Sequence, residues 1–299
     1  MKKLITHFII VVCLFLCIDR VIGWGLSILY RNSNATDEYK ISYSVETTTD
    51  SILFMGSSRC MHHYVPSIFE KELGLSCFNT GDWGIKNIYF HYGLLCNILQ
   101  RYTPKAIVLE IHPSEWLDIP FSGVERACSL APYCGMSEGC DDMLKLTGNY
   151  YSYLISMTYR YTGSFPNLLT GRWGSMDRKL KGWKPLTGTI DDTGVKAEEY
   201  PFPKDNERIA LLKKFIDICK GHDIQLIFIV SPMYLCSEED VFKTANDICE
   251  ESDIPFLNHY RDSVFTHKKE YFYDFGHMNR EGAEKYSYII SKELKTLIH

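Results

Sequence analysis

The run "KAIVLEI" (residues 105–111) is apolar at successive positions, and successive positions of a strand point to opposite sides. Such a strand needs a packed layer on each side, which is the environment of a parallel sheet between helices. "SILFM" (51–55), "LSCFN" (75–79), "IQLIFIV" (224–230) and "IPFLN" (254–258) have the same character, and segments of helical period separate them. "VPSIFEKELG" begins on proline and stops at glycine, and "NIYFHYGLLCNILQRY" repeats Ile88, Leu95, Ile98 and Leu99 at helical spacing. "ERIALLKKFIDICKG" puts Ile209, Leu212, Phe215, Ile216 and Cys219 on one face, with Gly221 as the expected C-cap. "SEEDVFKTANDICEES" reads as a helix opened by a serine cap, and a last helix from about Arg280 turns Ala283, Tyr286, Ile290, Leu294 and Leu297 inward. Strand and helix in alternation predict an α/β fold, a three-layer α/β/α sandwich around a parallel sheet of about five strands.

Two regions fall outside this rhythm. The first is the N-terminus, "MKKLITHFIIVVCLFLCIDRVIGWGLSILYR", where two lysines precede an apolar run from Phe8 to Ile18. Asp19 and Arg20 interrupt the run, which resumes from Val21 to Tyr30 without a small-residue cleavage site. Residues 1–32 are expected to form an uncleaved signal anchor, a single transmembrane helix with residue 33 onward extracytoplasmic, in the periplasm or at the cell surface. A cleaved signal peptide would put the chain in the same compartment. Residues 33–50 are polar and aperiodic and read as a linker to a domain at 51–299.

The second region, about 118–205, is an excursion inside the α/β alternation. It contains the aromatic "NYYSYLISMTYRYTG", expected to be a helix, and the loop "RWGSMDRKLKGWKPLTGTIDDTG". An insertion this long suggests a lid or binding segment. Its aromatic density fits either an interfacial or partner surface, or a Tyr-rich subdomain packed on itself.

With 299 residues and a net charge of −5, and no Lys/Arg cluster, the chain has no electrostatic footprint for nucleic acid. Of eleven cysteines, Cys13 and Cys17 lie in the anchor and nine remain. Cys134 and Cys140 in "CGMSEGC" are either a disulfide pair of an oxidising compartment or small buried hydrophobes. No C-x-x-C pair supports zinc, and neither metal nor cofactor is expected.

Ligands of parallel sheets bind beyond the carboxyl ends of the strands, which singles out "GSSR", "NTGDWG", "HPSEW" and "DFGH". A serine hydroxyl needs a base, and the base needs an orienting partner. Ser57 and Ser58 follow the first strand, and His277 and Asp274 supply the base and its orienter, three residues apart on one loop. Backbone amides at Ser58 and at Gly81 or Gly84, with the side chain of Asn79, are candidate donors to a developing oxyanion. Arg59 would bind an acidic substrate group or pair with a nearby acid. His62 and His63 are adjacent, so their side chains diverge and do not frame a metal site. Trp83 and Trp116 would either stack on a sugar or pack in the core.

"ILFMGSSR", "NTGDWG" and "DFGHMNREGAEKYS" resemble the first, second and fifth sequence blocks of SGNH/GDSL-type hydrolases. The similarity is to the membrane-anchored branch that includes the lipoteichoic acid D-alanylation protein and the alginate O-acetylation proteins, and it spans about 51–299 around the excursion. The resemblance implies a flavodoxin-like sheet, Ser58 rather than Ser57 as nucleophile, Asp274 and His277 as its partners, and Gly84 as an oxyanion donor. It implies serine-based acyl transfer, with acetyl the expected group and a cell-envelope glycan the acceptor. A polytopic membrane-bound O-acyltransferase would be the partner. The third-block Gly-x-Asn-Asp is replaced by "LEIHPSEW", which removes a donor worth about 100- to 1,000-fold in rate. His112 or Ser114 would stand in for it, and the anchored relatives also tend to lack it, which points towards transfer. A carbohydrate esterase of the same fold and a non-catalytic scaffold binding glycan or a membrane partner are the alternatives.

Overall fold

Each of the five apolar runs is a strand: β1 Ile52–Met55, β2 Cys77–Asn79, β3 Ala106–Glu110, β4 Gln225–Val230 and β5 Phe256–Asn258. The computed structural model describes residues 1–170, 174–237 and 240–298. The strands pair in parallel in the order β2-β1-β3-β4-β5, with Phe54 beside Asn79 on one side and Val108 on the other. Helices α3 Ser58–His63, α4 Pro66–Leu73, α5 Ile88–Ile98, α9 Asn206–Gly221, α10 Lys243–Ser252 and α11 Arg280–Leu297 belong to the sandwich. Two others, α1 Lys2–Asn32 and α2 Thr36–Glu46, precede it, and α6 Glu138–Leu146, α7 Tyr150–Ile155 and α8 Phe165–Thr170 lie in the excursion.

Strand alternation divides the interior into two cores. Leu53, Met55, Ile107, Leu109 and Phe228 pack with Leu95 of α5, Phe215 of α9 and Ile248 of α10. Ile52, Phe54, Val108, Ile227 and Ile229 pack with Phe69 of α4 and with Tyr286, Ile290 and Leu294 of α11. The chain runs from β1 outward to β2 and then returns past β1 to β3. The strand order therefore reverses between β1 and β3, which opens a crevice above their carboxyl ends.

Several expectations need correction. Residues 36–46 of the expected linker form α2, which buries Thr36, Glu38, Tyr39, Lys40, Ile41, Ser42, Ser44 and Val45. Its polar inward residues find distant partners: Lys40 Nζ donates to the Gly182 carbonyl at 2.7 Å, and Asn167 donates to the Glu38 carboxylate at 2.5 Å. The aromatic helix ends at Ile155, because the Asp19 carboxylate draws off the amides of Met157 and Thr158 that a continuing helix would use. The helix expected from Ser237 begins at Lys243 without a side-chain cap, and Glu238 and Glu239 of that stretch lie outside the described residues. The excursion loop begins similarly, with Arg172 and Trp173 outside them. α9 continues through Gly221 and is capped at His222. Cys134 and Cys140 are free and buried.

α1 meets the length and composition of a membrane span and is mostly uncovered by protein. Its buried residues, Asp19, Gly23, Leu26, Ser27 and Tyr30, form a single stripe facing the domain.

Candidate active site

Ser58 stands directly after the β1 turn at the start of α3, where the last strand residues and the Gly56–Ser57 turn fix its backbone. The "DFGH" loop is closed on itself. The Tyr273 amide donates to the His277 carbonyl at 2.9 Å, and Phe272 bridges Met278. Within it, Asp274 Oδ1 accepts the amides of Gly276 at 2.9 Å and His277 at 2.8 Å, the local turn that aspartate favours. The same carboxylate accepts from His277 Nδ1, at 2.9 and 3.0 Å from its two oxygens. The three-residue spacing thus lets one carboxylate shape the turn and orient the ring. Asn279 caps α11 immediately afterwards by accepting from the Gly282 amide, which fixes the loop to a rigid helix.

With the Nδ1 proton given to Asp274, His277 Nε2 is left to accept from Ser58 Oγ, 2.8 Å away. Burial works against ionisation of Asp274, but the His277 ring and the two loop amides outweigh it and hold the carboxyl below its ordinary range. The arrangement can take the proton of a serine hydroxyl as the oxygen attacks.

The neighbouring histidines are held neutral. The His62 ring lies 5.3 Å from that of His277, edge-on, and its Nδ1 is 2.6 Å from the Lys184 carbonyl, to which it must donate. Burial, with the charge of His277 second, pushes His62 down to about 3. His63 Nε2 accepts the Met278 amide at 2.9 Å, so its Nδ1 donates to Ser231 Oγ at 2.7 Å. Burial drives His63 well below its usual value. A positive charge formed on His277 therefore meets no cationic imidazole beside it.

The structure does not make donors of all the residues expected near the oxyanion. Asn79 is fully buried and spends its amide on the carbonyls of Cys60 at 2.7 Å and Tyr64 at 2.9 Å. Its Oδ1 takes the Gly81 amide at 3.0 Å, so neither Asn79 nor Gly81 presents a donor to the cleft. Gly81 instead permits close approach: a Cβ there would lie 2.6 Å from the Cys60 Cβ and the Met61 nitrogen. Gly81→Ala is expected to lower unfolding free energy by about 1–3 kcal/mol, read from the urea midpoint, as overpacking does. An unchanged midpoint would show that the loop is not pressed on α3. Arg59 borders the cleft, but its guanidinium is committed to Glu110 at 3.2 Å and to the carbonyl and hydroxyl of Ser231. Trp116 is buried against Phe242 in the core, while Trp83 is half-buried with Lys184 Nζ over its ring.

Ser57, Ser58, Gly84, His112, His277 and Gly276 line a cleft of about 170 Å3. The sequence reading missed Glu198 and Tyr200, which the excursion sends into the cleft, with Tyr200 Oη donating to Glu198 at 2.7 Å. It also missed the apolar wall of Ile85, Met233 and Phe275. Met233 and Ser231 follow β4 closely, so the strand-end rule pointed at them; nothing in "VKAEEYPFP" marks Glu198 or Tyr200. His112 is capped by the Ser114 amide at 3.1 Å and hydroxyl at 2.9 Å, both on Nδ1, which leaves the proton on Nε2. Burial, and then the nearby Arg59 charge, pushes it down to about 3.

Fold and site together describe a five-stranded parallel α/β protein that carries a serine–histidine–aspartate relay at its switch point. No protein-family model matches the chain, and no curated protein matches it. Among solved structures it is similar to a protein from Desulfitobacterium hafniense DCB-2 assigned to the lipolytic G-D-S-L family. Identity is 8%, the TM-score is 0.37, and the match covers 81% of this chain and 98% of that one. It is also similar to a protein from Bacteroides fragilis NCTC 9343 assigned as an acylhydrolase, at 13% identity and a TM-score of 0.39, covering 89% and 99%. What groups the residues into a site is the geometry of Ser58, His277 and Asp274.

Proposed function

We propose that the chain is an extracytoplasmic serine acyltransferase that moves a short acyl group, acetyl, onto a cell-envelope polysaccharide. The observation that carries the reading is the unbroken relay from Asp274 through His277 to Ser58 inside a cleft of about 170 Å3. The cleft combines Glu198 and Tyr200 with the apolar Ile85, Met233 and Phe275, a mixture that suits a short acyl group beside a sugar hydroxyl.

Ser58 Oγ attacks the acyl carbonyl while His277 Nε2 takes its proton. The tetrahedral intermediate collapses with that proton returned to the leaving group, and Ser58 is left acylated. A glycan hydroxyl then gives its proton to His277 as it attacks the ester. The second intermediate collapses with that proton passing from His277 Nε2 to Ser58 Oγ, which leaves the acyl group on the glycan and the enzyme in its starting state. The amides of Ser58 and Gly84 face the oxyanion in this scheme, and the neutral His112 turns its Nε2 proton from the weak 3.5 Å contact with Tyr200 Oη to the oxyanion, in place of the missing asparagine. A membrane-bound O-acyltransferase supplies the acyl group, and α1 holds the chain beside it.

The test uses the full chain in detergent with activated acetyl, butyryl and octanoyl esters, followed by intact mass. Acetylation of Ser58 is expected at least about 10-fold faster than octanoylation, given what a few methylenes are worth where a cleft accepts the short chain and not the long one. Discharge to an added sugar should outpace discharge to water. Preferential discharge to water would leave a carbohydrate esterase, equal rates for octanoyl would sink the short-acyl assignment, and no adduct on folded protein would favour the scaffold.

A further inference from the structure

We propose that α7 and the outward side of α1 beyond Asp19 form a membrane face, so that this part of the inserted segment rests in the lipid leaflet on the domain's side. The proposal depends on α1 being a membrane anchor and adds a second point of immersion.

Between Gly148 and Thr170 the sequence contains one charged residue, Arg160, which is turned inward to the carbonyls of Tyr153 at 2.7 Å and Cys134 at 3.0 Å. The outward side chains of α7 include Tyr151 at 73% exposed, Leu154 at 46% and Ile155 at 62%; Ser152, Thr162 and Thr170 are the exposed serine and threonine side chains of the segment, and none of the exposed ones is charged. Those of α7 continue the apolar surface of α1, where Trp24 is 63% exposed although the opposite stripe packs on the domain. Water is a poor partner for so continuous an apolar surface.

Depth makes the case specific. Lys2 and Lys3 mark one end of α1, and a hydrocarbon layer of ~30 Å counted from Leu4 at ~1.5 Å per residue ends near Trp24. Asp19 then lies roughly 7 Å inside that boundary. A carboxylate there needs partners, and the inserted segment supplies them: Ser156 Oγ at 2.6 Å, the Met157 amide at 2.8 Å and the Thr158 amide at 3.2 Å. Arg20 adds a contact at 2.7 Å. Met157 packs where Gly23 has no side chain, since a Cβ at 23 would lie 2.6 Å from that of Met157. Residues 156–158 are thus fixed at membrane depth by α1, and Tyr151, Leu154 and Ile155 lie within about a turn of them. Trp24 falls at the boundary, where an aromatic ring with a polar edge is favoured.

The test reconstitutes the full chain in vesicles of phosphatidylcholine and phosphatidylglycerol that carry a photoactivated carbene on the acyl chains, and maps adducts by peptide mass spectrometry. Adducts are expected on α1 and, several-fold above the level at the half-exposed Tyr288 of α11, on the peptide holding Tyr151–Ile155. Labelled α1 with α7 at the Tyr288 level would overturn the immersion and assign this surface to a protein partner. Unlabelled α1 would overturn the anchor reading and the proposal with it.

Discussion

Replacing Ser58 with alanine is expected to abolish covalent labelling by a fluorophosphonate and to cut acyl turnover by about 10^4- to 10^6-fold, as loss of the nucleophile does in serine hydrolases. His277→Ala should fall into the same range, because without Nε2 the hydroxyl 2.8 Å away has no base. Asp274→Asn should cost about 10^4-fold, since an amide that also donates can stabilise the wrong tautomer of the ring. Ser57→Ala is the control. Ser57 lines the same cleft, but no hydrogen bond from it to His277 is found among the described residues. The readout is the second-order rate of adduct formation by intact mass. Full labelling of Ser58→Ala, with loss in Ser57→Ala, would move the nucleophile by one residue and sink the relay described above.

Glu110→Leu is expected to lower the free energy of unfolding by about 3–5 kcal/mol, the cost of leaving a buried charge without its partner. Glu110 is 2% exposed and receives the Tyr64 hydroxyl, the Ser231 amide at 3.1 Å, the Ser231 hydroxyl at 2.8 Å and the Arg59 guanidinium at 3.2 Å. Its loss strands Arg59 at the floor of the cleft. The double variant Glu110→Leu/Arg59→Met removes both charges and should recover much of the deficit. Denaturant titrations of the three variants measure both effects. A single variant as stable as the parent would show that Arg59 reaches water, and a double variant no better than the single would assign the loss to packing.

The sheet was visible in the sequence because strands buried on both faces are written as unbroken apolar runs, as "ILFM", "AIVLE" and "QLIFIV" are. That a serine after β1 would meet His277 and Asp274 was visible because strand ends and helix starts can be located before any contact is known; the choice of Ser58 over Ser57 came from the resemblance alone. What the sequence withheld is direction. Asn79 and Gly81 are of the right type and in the right loop, yet their polar groups turn to Cys60, Tyr64 and each other. α2 was hidden for a related reason. Its inward side includes Lys40 and Glu38, whose partners Gly182 and Asn167 lie more than a hundred residues further along the chain. No local pattern encodes that pairing. Glu198 and Tyr200 reach the cleft from an aperiodic loop and left no signal at all.

The packing of α2 also decides how the catalytic unit is mounted. A flexible stretch in place of residues 33–50 would let the domain wander over roughly 23 Å, as a tethered reagent does. Here α2 is pinned through Lys40 to Gly182, and the bridge between Ala35 and Ser175 adds a second fastening. With α1 as the anchor, the opening above Ser58 is held at one height and one bearing, like a tool in a fixed post. For the proposed transfer, such a mounting would favour acceptors whose hydroxyls pass at that height.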